Sequence, residues 1–184
     1  MNKETIVNEG KNFCLIREEL IDQFFDYLVG HFPFEIWQRG GTSLSIGCGK
    51  GREVFQLERH GFQVTACDIS QNSLREGWRL GYFSSQTRVV WDDYKSCLDG
   101  QRYGFIIALH VLPGLCLKKL ISDCSPSLED GGVMIVSGGD EKIKEFEGFF
   151  CETELPEVKK LTMVSGVNSL DRRVLIIEID KGTN

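Results

Sequence analysis

The sequence predicts an α/β fold in which a mostly parallel sheet is covered by helices on both faces. Three observations predict it. Strand and helix signals alternate from residue 42 onward, the pattern of parallel strands joined by helical crossovers. The run YGFIIALHV (103–111) is apolar enough to be a strand buried on both faces. The last two strand-like runs, 158–164 and 172–179, are joined by the short hairpin-like connection GVNSLD, which adds an antiparallel strand at one side.

Ahead of the alternation, residues 15–29 place apolar side chains at 16, 20, 21, 24, 25 and 28, a helix with one buried stripe. HFPF breaks that pattern, and Trp37, Gly40 and Gly41 close the element. This N-terminal helical segment (1–40), with Phe32, Phe34 and Trp37, is a candidate lid over an acceptor site; the competing reading of such aromatic residues is plain core. TSLSI (42–46) is a short strand ending in glycines, and 51–61 a helix with Val54, Phe55 and Leu57 inward and Gly61 as its stop. FQVTAC (62–67) is the second strand, and Ser70 caps a helix running to about Leu80. TRVVW (87–91) and 103–111 are strands three and four. Pro113 starts a helix reaching Cys124, GGVMIVSG (131–138) is the fifth strand, and 140–150 is a further helix. With the closing hairpin the sheet has seven strands, and the core spans 42–179.

The chain has 184 residues, 41% of them apolar and 26% charged, which fits one soluble domain over 1–184 with a substantial core. A net charge of −6 without a dense Lys/Arg run argues against nucleic acid as a partner. Seven cysteines are scattered without a CxxC pair, which speaks against a disulfide framework or a structural zinc site and for a reducing, cytoplasmic setting. The N-terminus lacks the apolar run of a signal peptide, and no stretch is apolar enough to span a membrane. No metal site is expected.

Sheets of this kind bind ligands beyond the carboxyl ends of their strands, so the loops after strands one to four are expected to carry function. The first is SLSIGCGKG (43–51), with Gly47, Gly49 and Gly51 in a GxGxG spacing between strand and helix. Glycine permits a sharp turn and lets a ligand approach the backbone. Asp68 ends strand two, about 20 residues on, where a carboxylate can accept hydrogen bonds from ribose hydroxyls; the competing role is a helix cap. The dinucleotide fingerprint GxGxxG would need a third glycine where Arg52 stands, which argues against NAD.

Taken together, these segments resemble the class I S-adenosylmethionine-dependent methyltransferases. Residues 43–74 are similar to that family's strand, GCGxG loop, helix, strand, acid and helix; WDD (91–93), IIALHVLPGL (106–115) and LEDGGVMIV (128–136) are similar to its later segments. The resemblance implies a Rossmann-like three-layer sandwich and S-adenosylmethionine as cofactor, with S-adenosylhomocysteine as its product. It implies that Gly47, Cys48, Gly49 and Gly51 surround the methionine part, that Asp68 binds the ribose and that Ile69 lies against the adenine. Asp92, or else Asp93, meets the adenine amino group with Trp91 or Tyr94 nearby, and Leu109 and His110 lie under the sulfonium. Two departures stand out: Ser45 replaces the acid two positions before the first loop glycine, and Tyr103-Gly104 replaces an acid early in strand four.

The implied activity is methyl transfer to a small-molecule acceptor, because the compact chain shows no separate substrate domain. The alternative is a catalytically degenerate module that acts by binding cofactor or partner, which the two departures support. Oligomeric state is not encoded in these motifs. His110 is the candidate general base, since a histidine at the end of strand four can take a proton near neutral pH; its competing role is packing or a bond to the cofactor. Cys48 reads as a small packing residue, and His60 as a helix-end cation.

Overall fold

The computed structural model describes residues 21–30, 37, 40–109, 117–139, 158–165 and 172–179. The strands are β1 (Gly41–Ile46), β2 (Phe62–Cys67), β3 (Arg88–Val90), β4 (Tyr103–Leu109), β5 (Leu128–Gly139), β6 (Val158–Ser165) and β7 (Arg172–Ile179). They form one sheet in the order β3-β2-β1-β4-β5-β7-β6. The pairs from β3 through β5 are parallel, and β7 runs antiparallel to both β5 and β6. The expected helix at 140–150 lies outside the described residues, as do residues 1–20 and the 166–171 connection.

The described helices are α1 (21–30), α2 (Arg52–Arg59), α3 (Gln71–Leu80) and α4 (Leu117–Cys124). Ser70 caps α3, its hydroxyl accepting from the Ser73 N–H at 3.3 Å, and Gly81 ends it in the left-handed region at φ 73°. No helix among the described residues is long and apolar enough to cross a membrane.

The period of two in β4 builds the two cores. All seven of its residues are buried. Ile106 and Ala108 face a cluster holding Leu44, Ile46, Met134 and the α4 residues Leu120 and Ile121. Phe105, Ile107 and Leu109 face the opposite cluster, with Val54 and Leu57 of α2 and Phe25 and Leu28 of α1. Each large apolar side chain withdrawn from water in this way contributes roughly 1.5–3 kcal/mol.

The inward face of α2 differs from the expectation. Phe55 is only half-buried and lies beside Tyr82, at 6.0 Å between ring centroids, with the Arg52 guanidinium 5.3 Å from its ring. Glu53 and Gln56 are buried with Val54 and Leu57. At 100° per residue, positions 53, 54, 56 and 57 share the sheet-facing arc and position 55 falls to its side.

Between the lid and core readings of the N-terminal helix, residues 21–30 and Trp37 pack as core. Ile21, Phe24, Phe25 and Leu28 are buried against the sheet, and Trp37 meets Phe62 edge-on and lies tilted against Phe105. Arg52 anchors the helix: its Nε donates to Asp22 Oδ1 at 2.8 Å, its Nη2 pairs with Asp22 Oδ2, and Gln56 adds an amide at 2.5 Å. Burial raises the Asp22 pKa, but the bonds from Arg52 and Gln56 outweigh it and hold the carboxyl below its ordinary value. Phe32 and Phe34 lie outside the described residues.

His60 also departs from its reading as a helix-end cation. Its ring is stacked on Phe25, with centroids 6.5 Å apart, and lies 5.5 Å from Trp37. Burial, and secondarily Arg59, push its pKa below the ordinary 6.5. A depressed histidine pKa gives stability that is present above the unfolded pKa and lost as pH falls through the folded one. Thermal melts between about pH 7.5 and about pH 5.5 are therefore expected to show wild type losing its advantage over His60→Gln, because that window spans the histidine titration. An advantage independent of pH would contradict the neutral, stacked ring.

Candidate functional site

The chain leaves β1 outward to β2 and β3 and then returns past β1 to β4. In open parallel sheets ligands bind at such a reversal, here the carboxyl ends of β1 and β4. The described loops at this edge are 47–51, 68–70 and 91–93; the loop after β4 lies outside the described residues.

The first loop turns sharply because three glycines are left-handed: Gly47 at φ 63°, Gly49 at φ 55° and Gly51 at φ 85°. Two bonds sew it to the end of β2. The Cys48 N–H donates to the Cys67 carbonyl at 3.0 Å, and the Gly49 N–H donates to Asp68 Oδ2 at 2.7 Å. Asp68 Oδ1 accepts from the Ser70 N–H at 2.7 Å. Each oxygen of this half-buried carboxylate holds one backbone N–H, and a carboxylate oxygen has a second lone pair for a ligand hydroxyl.

Beside Asp68 lies an open apolar wall. Ile69 is 78% exposed and Trp91 59% exposed, although both side chains are large and apolar. The Trp91 Nε1–H donates to the Ile69 carbonyl at 3.0 Å, which joins the loops after β2 and β3. The alternatives Asp92 and Asp93 separate here. Asp93 caps the 3₁₀ turn Tyr94–Cys97, its Oδ1 accepting from the Lys95 N–H at 3.0 Å. Asp92 is exposed and turns one oxygen to the Asp93 N–H at 2.7 Å. Tyr94, placed near the adenine by the sequence reading, turns inward: it is buried and its hydroxyl donates to Asp123 Oδ2 at 2.7 Å.

Gly51 is shaped by the protein itself. A Cβ there would lie 2.1 Å from the Phe83 ring, and one at Gly77 would lie 2.3 Å from the Lys50 carbonyl oxygen and 2.5 Å from the same ring. Phe83 thus wedges α3 against the back of the loop. Cys48 is buried, as a packing residue should be. Beneath the loop, the neighbouring Cys97 thiol and then burial hold the Cys67 thiol well above its ordinary pKa, so it stays neutral. Leu109 is buried at the end of β4, two residues beyond the Ser45↔Ile107 register pair. His110 lies outside the described residues.

One carboxylate was missed. Glu53, in the first turn of α2, is 1% exposed, and the buried Ser45 hydroxyl donates to its Oε1 at 3.4 Å. An acid two residues past the last loop glycine was the available signal. The candidate ligand edge therefore offers an apolar wall, a hydroxyl-accepting carboxylate and a bare glycine backbone. That set fits a ligand with a flat ring and a sugar.

A family model described as a methyltransferase domain matches residues 44–136. The chain is 27% identical over 139 residues to a ubiquinone biosynthesis O-methyltransferase of Caulobacter vibrioides (strain ATCC 19089 / CIP 103742 / CB 15), covering 71% of this chain and 52% of that protein. The chain thus spans about half the length of the curated relatives it matches. Among solved structures it is similar to magnesium protoporphyrin IX methyltransferase from Synechocystis PCC 6803 with bound S-adenosylmethionine, with a TM-score of 0.61, 18% identity, and coverage of 92% of this chain and 83% of that one. It is similar as well to an rRNA methylase from Streptococcus thermophilus, with a TM-score of 0.62, 14% identity, and coverage of 82% and 96%. At these identities the two structures establish the fold.

The Phe83 wedge reverses an ordinary rule. Replacing a helical glycine by alanine usually stabilises by about 1 kcal/mol. Gly77→Ala is instead expected to destabilise by about 1–3 kcal/mol, because its methyl group collides with the Lys50 carbonyl and the Phe83 ring. Urea unfolding measures this, and a gain in stability would show that α3 does not press on the loop.

Proposed function

The chain belongs to the class I S-adenosylmethionine-dependent methyltransferase family, and from that premise we propose that it binds S-adenosylmethionine in the crevice at 47–51 and 68–70 and methylates a small-molecule acceptor. The observation that carries the reading is the Gly49 N–H to Asp68 bond. It brings the glycine turn and the carboxylate into one rim, with Ile69 and Trp91 exposed beside it.

The residues divide the work along that rim. Ile69 and Trp91 offer the apolar surface for the adenine, and Asp92 accepts from its amino group. Asp68 accepts the ribose hydroxyls through the lone pairs its backbone partners leave. Gly47 and Gly49 let the tail approach the backbone without a Cβ in the way. Gly51 contributes indirectly, because its bare Cα admits Phe83 and fixes the turn. Leu109 closes the floor at the end of β4.

The bound cofactor supplies an activated methyl group on its sulfonium. The protein's part is to orient the acceptor and exclude water; such alignment is worth roughly 7–11 kcal/mol in well-ordered cases. His110, next after Leu109, is proposed to take the acceptor proton. An O-methyltransferase relative supports an oxygen acceptor, which needs that proton removed. The acidic chain and the absence of a Lys/Arg run support a small molecule over a nucleic acid.

Calorimetry with S-adenosylhomocysteine tests the cradle. Asp68→Asn is expected to weaken binding about 10- to 100-fold, the range for losing hydrogen bonds to a charged acceptor. Unchanged affinity in a folded variant would remove Asp68 from the site. For the base, His110→Ala is expected to keep S-adenosylhomocysteine affinity while slowing transfer to an oxygen acceptor about 10²- to 10⁴-fold. Near-normal turnover would leave His110 a packing residue.

A further inference from the structure

We propose that the chain carries a second ligand site, at the amino ends of β1 to β4, which takes a small phosphorylated, hydroxyl-rich molecule on Arg88 and Arg102. This edge of the sheet lies opposite the loops at 47–51 and 68–70, so the proposal does not rest on the cofactor reading. The sequence makes this part of the sheet polar. Along β2, Phe62, Val64 and Ala66 join the cluster under α1 and α2, so Gln63, Thr65 and Cys67 turn to the other face. Thr42 shares that face with Leu44 and Ile46, and Arg88 shares it with Val90. Strand register sets them side by side: Thr42 pairs with Gln63, and Thr65 with Arg88. Between β3 and β4, where a helical crossover would cover this face, the chain forms only the 3₁₀ turn Tyr94–Cys97. That turn covers the carboxyl half, where Tyr94 and Cys97 join Leu44, Ile46 and Cys67. The amino half is left as a cavity of about 470 Å³. Small-molecule sites run from roughly 300 to 1,000 Å³.

Arg88 and Arg102 line this cavity with Gln63, Gln86 and Gln101, and no acidic residue is among its described lining. In a chain of net charge −6, two guanidinium groups without an acid reverse the local sign. Arg88 makes no ion pair or hydrogen bond among the described residues. Arg102 is anchored at one corner: its Nη1 donates to the carbonyls of Pro126 and Leu128, which leaves Nε and Nη2 for a ligand. Glu129, the acid bonded to a lining residue, accepts from the Thr42 hydroxyl at 3.5 Å and pairs with neither arginine. Guanidinium forks match phosphate oxygens, and an anchored fork loses less freedom on binding. The three glutamine amides both donate and accept, which suits hydroxyl groups. Val64 and Tyr103, the apolar residues of the lining, are buried at 3% and 2% exposure, so no broad apolar surface is offered to a base.

Glycerol 3-phosphate is the probe, and backbone amide NMR of the full chain is the readout. Saturating shifts are expected at Gln63, Thr65, Arg88 and Arg102, with none at Gly49 and Ile69. Glycerol is expected to move none of them, and sulfate to bind about tenfold more weakly, because it brings no hydroxyl groups. Arg88→Gln is expected to weaken glycerol 3-phosphate about tenfold or more. Its melting temperature is expected to stay that of wild type, since Arg88 is exposed and bonded to nothing described in the fold. A lack of saturation up to about 10 mM overturns the proposal. Shifts confined to the loops at 47–51 and 68–70 overturn it too, as does an Arg88→Gln variant that binds like wild type. Equal affinity for sulfate marks an adventitious ion only, and equal shifts with glycerol remove the phosphate; either result overturns the proposal. None of these outcomes bears on the cofactor reading, which is tested separately by S-adenosylhomocysteine binding.

Discussion

A single charge-assisted hydrogen bond, from the Gly49 N–H to Asp68 at 2.7 Å, organises the crevice. It joins the loop after β1 to the end of β2, two segments 19 residues apart. The backbone bond from Cys48 to the Cys67 carbonyl runs parallel to it and sets the same register. A glycine turn alone is a flexible piece of chain. Pinned by the carboxylate and wedged from behind by Phe83, it becomes a preorganised surface. The same carboxylate retains acceptor capacity on each oxygen, so one group can shape the site and serve in it.

The sequence showed what periodicity and local chemistry encode. The strands fall close to the expected runs: FQVTAC is β2 as read, and Ser70 and Gly81 bound α3. The glycine turn and Asp68 meet through the Gly49 N–H. What stayed hidden depends on contacts between distant segments. Asp92 and Asp93 are equivalent in a string, and only the 3₁₀ turn that follows makes Asp93 its cap. Tyr94 looks like an adenine neighbour until Asp123, 29 residues on, draws its hydroxyl inward. Gly51 reads as a ligand-facing glycine, yet Phe83 occupies the space its Cβ would need. Glu53 went unnoticed because an acid in a first helical turn is ordinary on a surface. Its burial follows from the arc that α2 turns to the sheet.

The division of the molecule into two faces explains why the site sits where it does. On one face α4 covers Ile106, Ala108 and Met134; on the other, α1 and α2 cover Phe105 and Ile107. Both helix layers depend on β4, whose side chains are buried in both directions. Arg52 links this scaffold to the loop, since it follows Gly51 and locks α1 through Asp22. Loop geometry and N-terminal packing are therefore coupled through one residue.

The most direct test of the cradle is a backbone amide NMR titration of the full chain with S-adenosylhomocysteine. Amide signals of Gly47, Gly49, Ile69 and Asp92 are expected to move together with saturation, while those of Gln101 and Arg102, at the opposite edge of the sheet, stay in place. Signals that move at Gln101 and Arg102 while Gly49 and Ile69 stand still would place the ligand elsewhere and contradict the assignment of this crevice.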